Sequence, residues 1–202
     1  MNIYLQGLLM GLAYVAPIGL QNLFVINTAL TQSRKRTIIT ALIVIFFDVT
    51  LALACFFGIG LIMAKFKIVE MAVLLLGSLI VIYIGAGLLK SKAASGDGPD
   101  VNIPLIKVIG SACVVTWFNP QAIIDGTMML GAFRATLNGS QCLPFILGVN
   151  SASWIWFLGL SIFISFFSSK FTSKTLRIIN VVCGIVIIFY GVKLFINFFQ
   201  LI

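Results

Sequence analysis

Asp48 and Asp125 each stand inside a long apolar run, Ile-Phe-Phe-Asp48-Val-Thr-Leu and Ala-Ile-Ile-Asp125-Gly-Thr-Met. A carboxylate held away from water can trade a proton for a cation, because burial disfavours its charged form and a bound ammonium or guanidinium restores it. Placing a charge at mid-membrane costs at least ~2.5 kcal/mol on insertion scales, so an intramembrane acid marks a cavity or an ion path. Only five acids occur in 202 residues, and two lie in such runs. The alternative for Asp48 is a structural ion pair, but the Lys and Arg residues fall at the ends of the apolar runs.

The chain that must position these acids is 61% hydrophobic and 9% charged, with a mean hydropathy of +1.17. Soluble domains carry about 25% charged residues, so this is an integral membrane protein. The polar stretches are too short to fold alone, which leaves one transmembrane domain over residues 1–202. The net charge of +8 is spread in short basic clusters between apolar spans rather than in one aromatic-interleaved patch, which argues against nucleic acid and for anchoring at the membrane surface. With no His, and Cys55, Cys113, Cys142 and Cys183 at no ligand spacing, neither a metal, a cofactor nor a disulfide framework is expected. No nucleophile–base pair is visible, so an enzyme is the weakest reading. No basic residue precedes the first apolar stretch, which is too long for a signal-peptide core. Met1 is therefore expected to begin a retained helix.

Six apolar runs are expected to cross as helices, at about 3–30, 38–64, 68–90, 104–133, 143–168 and 175–199. Helices are required because open strands would leave backbone groups unpaired in lipid. Residues 91–103, with Ser95-Gly-Asp-Gly-Pro-Asp100, read as a linker between repeat one, about 1–94, and repeat two, about 104–202. The odd-numbered loops hold nine basic residues against four on the other side. The positive-inside rule then puts both termini outside the cytoplasm.

Sliding the chain by 103 residues lays Gly7 on Gly110, Pro17 on Pro120, Asn22 on Asp125, Lys67 on Lys170, Lys90 on Lys193 and Asp48 on Ser151. A repeat of three helices enters the membrane from opposite faces, the inverted topology of many secondary transporters. Both helix breakers coincide: Pro17-Ile-Gly19 followed by Gln21 and Asn22, and Asn119-Pro120-Gln121 followed by Asp125. Proline removes a backbone donor and clashes one turn back, and Gly19 relaxes the chain. The first and fourth helices should therefore break, and the amides of Gln21, Asn22, Asn119 and Gln121 can meet the groups so freed or line a cavity.

Pro17-Ile-Gly-Leu-Gln-Asn-Leu-Phe-Val25, Asp48-Val49, Thr116-Trp-Phe-Asn-Pro-Gln121 with Asp125, Ser151-Ala-Ser-Trp-Ile-Trp-Phe157 and Arg177-Ile-Ile-Asn180 form an ordered set. From Gly7 to Lys193 it resembles the basic amino-acid (lysine/arginine) exporter family of the lysine exporter superfamily. The resemblance implies a multi-pass transporter of the cytoplasmic (inner) membrane that exports lysine, arginine or their analogues. Leu20 departs from the pattern, standing where the family usually has a second proline. Exporters of neutral amino acids such as threonine and homoserine are the alternative within the superfamily, and a cation channel is the alternative outside it.

A cationic amino acid leaving a negative interior works against about 2.3 kcal/mol per 100 mV, and exchange for one entering proton cancels that cost. Asp48 and Asp125 are the expected proton and substrate sites. The substrate carboxylate is expected at a half-helix N-terminus near Gly19 to Asn22 or Asn119 to Gln121. Ser151 belongs to the motif set, and Trp154, with Trp156 and Trp117, could shape the pocket or simply pack. Gly7-Leu-Leu-Met-Gly11 is a GxxxG stripe, read as packing within the chain, with a homodimer contact as its other use.

Overall fold

The computed structural model describes residues 2–58, 66–90, 104–168 and 173–201. Those residues are helical throughout, without strands. The linker 91–103 and the basic residues Lys65, Lys92 and Lys170 lie outside the described residues.

The helices are α1 (Ile3–Val15), α2 (Leu20–Thr31), α3 (Arg34–Phe56), α4 (Lys67–Lys90), α5 (Leu105–Trp117), α6 (Pro120–Gly126), a π-helical turn (Thr127–Gly131), α7 (Ala132–Thr136), α8 (Gly139–Ser168) and α9 (Ser173–Leu201). Among the described residues, two helices are long and apolar enough to span a membrane, within Arg34–Phe56 and Gly139–Phe166, and α1 with α2 meets the same test as a pair bent by 75°. Large apolar side chains such as Phe46, Tyr83, Ile106, Ile155 and Phe189 are exposed on the exterior, as lipid contact requires.

The second span differs from the expected 38–64. Its helix starts at Arg34 because the Ser33 side chain accepts a hydrogen bond from the Arg36 N–H at 3.4 Å, the usual role of a helix N-cap. It ends at Phe56 because the chain turns at Gly58, whose φ of 100° is open to glycine at little cost. The first and fourth spans are interrupted as expected, at Ala16–Gly19 and at Phe118–Asn119, whereas α8 runs unbroken through Pro144.

α4 and α9 pack against each other most extensively, followed by α1 against α8. α2 also contacts α8 and α9, while α5 and α6 contact α3 and α4. The α1–α8 seam depends on missing side chains: a Cβ on Gly7 would overlap the Phe145 backbone, and one on Gly148 would overlap that of Tyr4. Gly11 faces Val149 and Ala152. The GxxxG stripe is thus spent on a helix of the same chain. Val15, Val25, Val44, Ile45, Ala112 and Phe157 form a core that joins α1, α2, α3, α5 and α8. Arg34 at one end of α3 lies over the Phe166 ring at 5.0 Å, and Arg134 lies over Phe56 at its other end at 5.9 Å. These cation–π contacts hold α3 to its neighbours at both ends.

Candidate functional site

Breaking α1 from α2 removes the partners of the carbonyls at the end of α1, and Asn22 replaces them. Its Nδ2 donates to the carbonyls of Val15 at 3.0 Å and Pro17 at 2.7 Å, while its Oδ1 accepts from Trp156 Nε1 of α8 at 2.7 Å. The indole N–H can only donate, which fixes which way the amide points. Leu20 is the first residue of α2 and is buried with Leu23, Val81, Val115 and Ile187. That helix position tolerates proline because its N–H has no partner within the helix. Leucine there leaves the break in place and adds one backbone N–H.

Asp48 is 0% exposed, at the meeting of α3 with α2 and α8. Its Oδ1 accepts from Gln21 Nε2 at 3.0 Å and its Oδ2 from Ser153 Oγ at 2.6 Å. Gln21 Nε2 also donates to Thr116 Oγ1 of α5 at 3.0 Å. The hydrogen-bonding partners of this buried acid are therefore neutral, and the expected alternative of an ion pair does not describe them.

Gln21 and Asn22 also line a cavity of about 190 Å³ between the two breaks. Pro17, Gly19, Asn119, Gln121, Asp125 and Tyr14 share its wall. Gly19 caps α2 without a side-chain hydrogen bond, and the first helical bond runs from the Leu23 N–H to the Gly19 carbonyl. The positive end of α2 thus faces the cavity. Asp125 is half-buried and accepts from Gln121 Nε2 at 2.7 Å, one turn back on α6. Pro120 takes the first turn of α6, where a missing N–H is harmless. Tyr14 Oη donates to the Ala122 carbonyl at 3.3 Å, and Cys55 Sγ approaches that of Ile123 at 3.6 Å, just before the π-helical turn. Such turns recur at functional sites because they re-aim side chains.

Eight of the eleven expected site residues surround this cavity or the breaks beside it, and Asp48 lies one hydrogen bond behind it through Gln21. Ser151 and Trp154 do not join them. Ser151 accepts from Tyr4 Oη at 2.9 Å on the α1 side of α8, and Trp154 is 48% exposed. The residues that face inward are Ser153 and Trp156, two positions further on in each case. Two residues along a helix rotate the side chain by roughly 200°, so the inward face of this motif carries Ser153 and Trp156 rather than Ser151 and Trp154. Tyr14, Thr116 and Ser153 lie outside the expected set, although the last two fall inside its motifs, and Trp156 was expected only as a possible pocket wall. Among the described residues, no group of three metal-ligating side chains forms.

A helical bundle with two broken spans around an amide-bearing cavity and a buried acid behind it has the build of a membrane translocator, and the family comparison gives the same class. The chain belongs to the LysE type translocator family, whose model matches residues 12–198. It is 32% identical to the arginine exporter protein ArgO of Shigella flexneri, across 95% of this chain and 92% of that protein. It is 31% identical to ArgO of Escherichia coli K12 over the same shares, and 29% identical to ArgO of Enterobacter sp. 638 across 96% and 93%. No solved structure matches the chain.

Proposed function

We propose that this protein exports basic amino acids, arginine foremost, across the cytoplasmic membrane in exchange for protons. The observation that carries the reading is Asp48, fully buried among neutral partners and one side chain away from the cavity. An acid with no cationic partner is held ready for a proton or for a substrate cation. Membership of the translocator family and the names of the relatives supply the substrate class.

In the cavity, the substrate carboxylate meets the N–H groups at the start of α2, and Asp125 draws the cationic side chain. Asn119 and Gln121 supply hydrogen bonds at the opposite wall. Exchange of one proton for one substrate cation is electroneutral, so the pH gradient alone drives export.

The whole chain acts as one domain of two inverted three-helix repeats with both termini outside. The packing supports this reading: α1 and α2 against α8 is mirrored by α5 and α6 against α3, and α2 against α9 by α6 against α4. The test is counterflow of radiolabelled arginine, lysine and threonine in proteoliposomes, with and without an imposed pH gradient. The reading expects arginine and lysine to exchange and to accumulate against their gradient when the pH gradient is applied. Threonine exchange alone, or arginine movement indifferent to the gradient, overturns it.

A further inference from the structure

Resting on proton antiport as just proposed, we infer that the Gln21 side-chain amide is the coupling switch, rotating when Asp48 gains or loses its proton. An ionised carboxylate only accepts hydrogen bonds, so Gln21 must turn Nε2 toward it. In that state both hydrogens of the amide nitrogen are spent, one on Asp48 and one on Thr116. Gln21 lines the cavity, and what it has left to offer a substrate there is its carbonyl oxygen, an acceptor for ammonium or guanidinium. Once Asp48 is protonated its O–H needs an acceptor. Turning the amide supplies Oε1 to that O–H and presents the NH₂ group to the cavity, where it repels a cation.

The surroundings suit this exchange. Ser153 on α8 and Thr116 on α5 are hydroxyls, which serve equally as donors or acceptors, so neither needs to move. The titratable groups near Asp48 are Tyr14 on α1 and Cys55 on α3, and Tyr14 also senses Asp125 on α6. The contacts from α2, α5 and α8 are the neutral Gln21, Thr116 and Ser153. Asn22, one residue on, cannot act in the same way, because Trp156 and two backbone carbonyls hold its amide in one orientation. Proton and substrate exclude each other here because Gln21 Oε1 serves either the Asp48 O–H or the substrate cation, never both at once.

The test compares the parent with Gln21→Met in proteoliposomes, reading the KM for radiolabelled arginine between about pH 6 and pH 8. The parent KM should rise as the pH falls, by up to about tenfold per unit, as required when a proton and a cation exclude one another. Gln21→Met should have a KM about tenfold above the parent at neutral pH, from loss of the acceptor, and that KM should no longer climb on acidification. A variant that keeps the parent's pH profile overturns the switch while leaving antiport intact, whereas a parent that ignores pH and an imposed gradient removes antiport itself. Should Gln21→Met not fold, infrared difference spectra of the parent carrying isotope-labelled glutamine decide the matter. The glutamine amide bands should shift on acidification, return on adding arginine, and stay still in Asp48→Asn. A shift that persists in Asp48→Asn, or no shift in the parent, overturns the inference.

Discussion

Asn22 and Asp125, paired by the 103-residue shift, make different contacts. The Asn22 amide is consumed by Val15, Pro17 and Trp156, whereas Asp125 accepts from Gln121 and borders the cavity. Asn22→Leu leaves two carbonyls and an indole N–H without partners, a loss of about 2–4 kcal/mol. It should lower the midpoint of thermal unfolding in detergent, with Trp156→Phe giving a smaller loss of about 1 kcal/mol. Asp125→Asn should stay within about 0.5 kcal/mol of the parent in stability, while its KM for arginine in counterflow rises at least about tenfold. A destabilised Asp125→Asn with unchanged KM would make that acid structural.

Between the helices, small residues decide how closely the broken spans approach the rest. A Cβ on Gly126 would sit 2.9 Å from Cys55 Sγ and 3.2 Å from Tyr14 Oη, so Gly126→Val should push α6 off α3. The cost is about 1–3 kcal/mol of overpacking, read as earlier loss of monodisperse protein on heating. Gly110→Ala, with nothing within 4 Å, should be tolerated. Gly110 is the mate of the tightly packed Gly7 in the 103-residue alignment, which shows what the sequence could and could not tell. The helix breaks were readable because proline and glycine act on their own backbone. The depth of Asp48 was readable because a lone acid in an apolar run has few places to go. Which face of α8 turns inward was not, because it depends on how α8 is rotated against α1 and α3, and no residue on α8 alone encodes that. The partners of Asp48 come from α2 and α8, and Thr116 reaches it through Gln21 from α5, a convergence of three helices invisible in one strand of text.

At the scale of the molecule, the nine-to-four split of basic residues between the loops predicts that both termini lie outside the cytoplasm, so a C-terminal alkaline phosphatase fusion should be active while a fluorescent fusion that matures only in the cytoplasm stays dark. The opposite result would put both termini in the cytoplasm. Transporters that run on sodium commonly coordinate it with the bare carbonyls of an unwound helix. Here two of those oxygens, on Val15 and Pro17, are already engaged by Asn22. Asn22 thus satisfies those oxygens without an ion, and under the proposed proton coupling, replacing sodium by choline on both sides of the vesicle should leave the rate of arginine efflux unaltered.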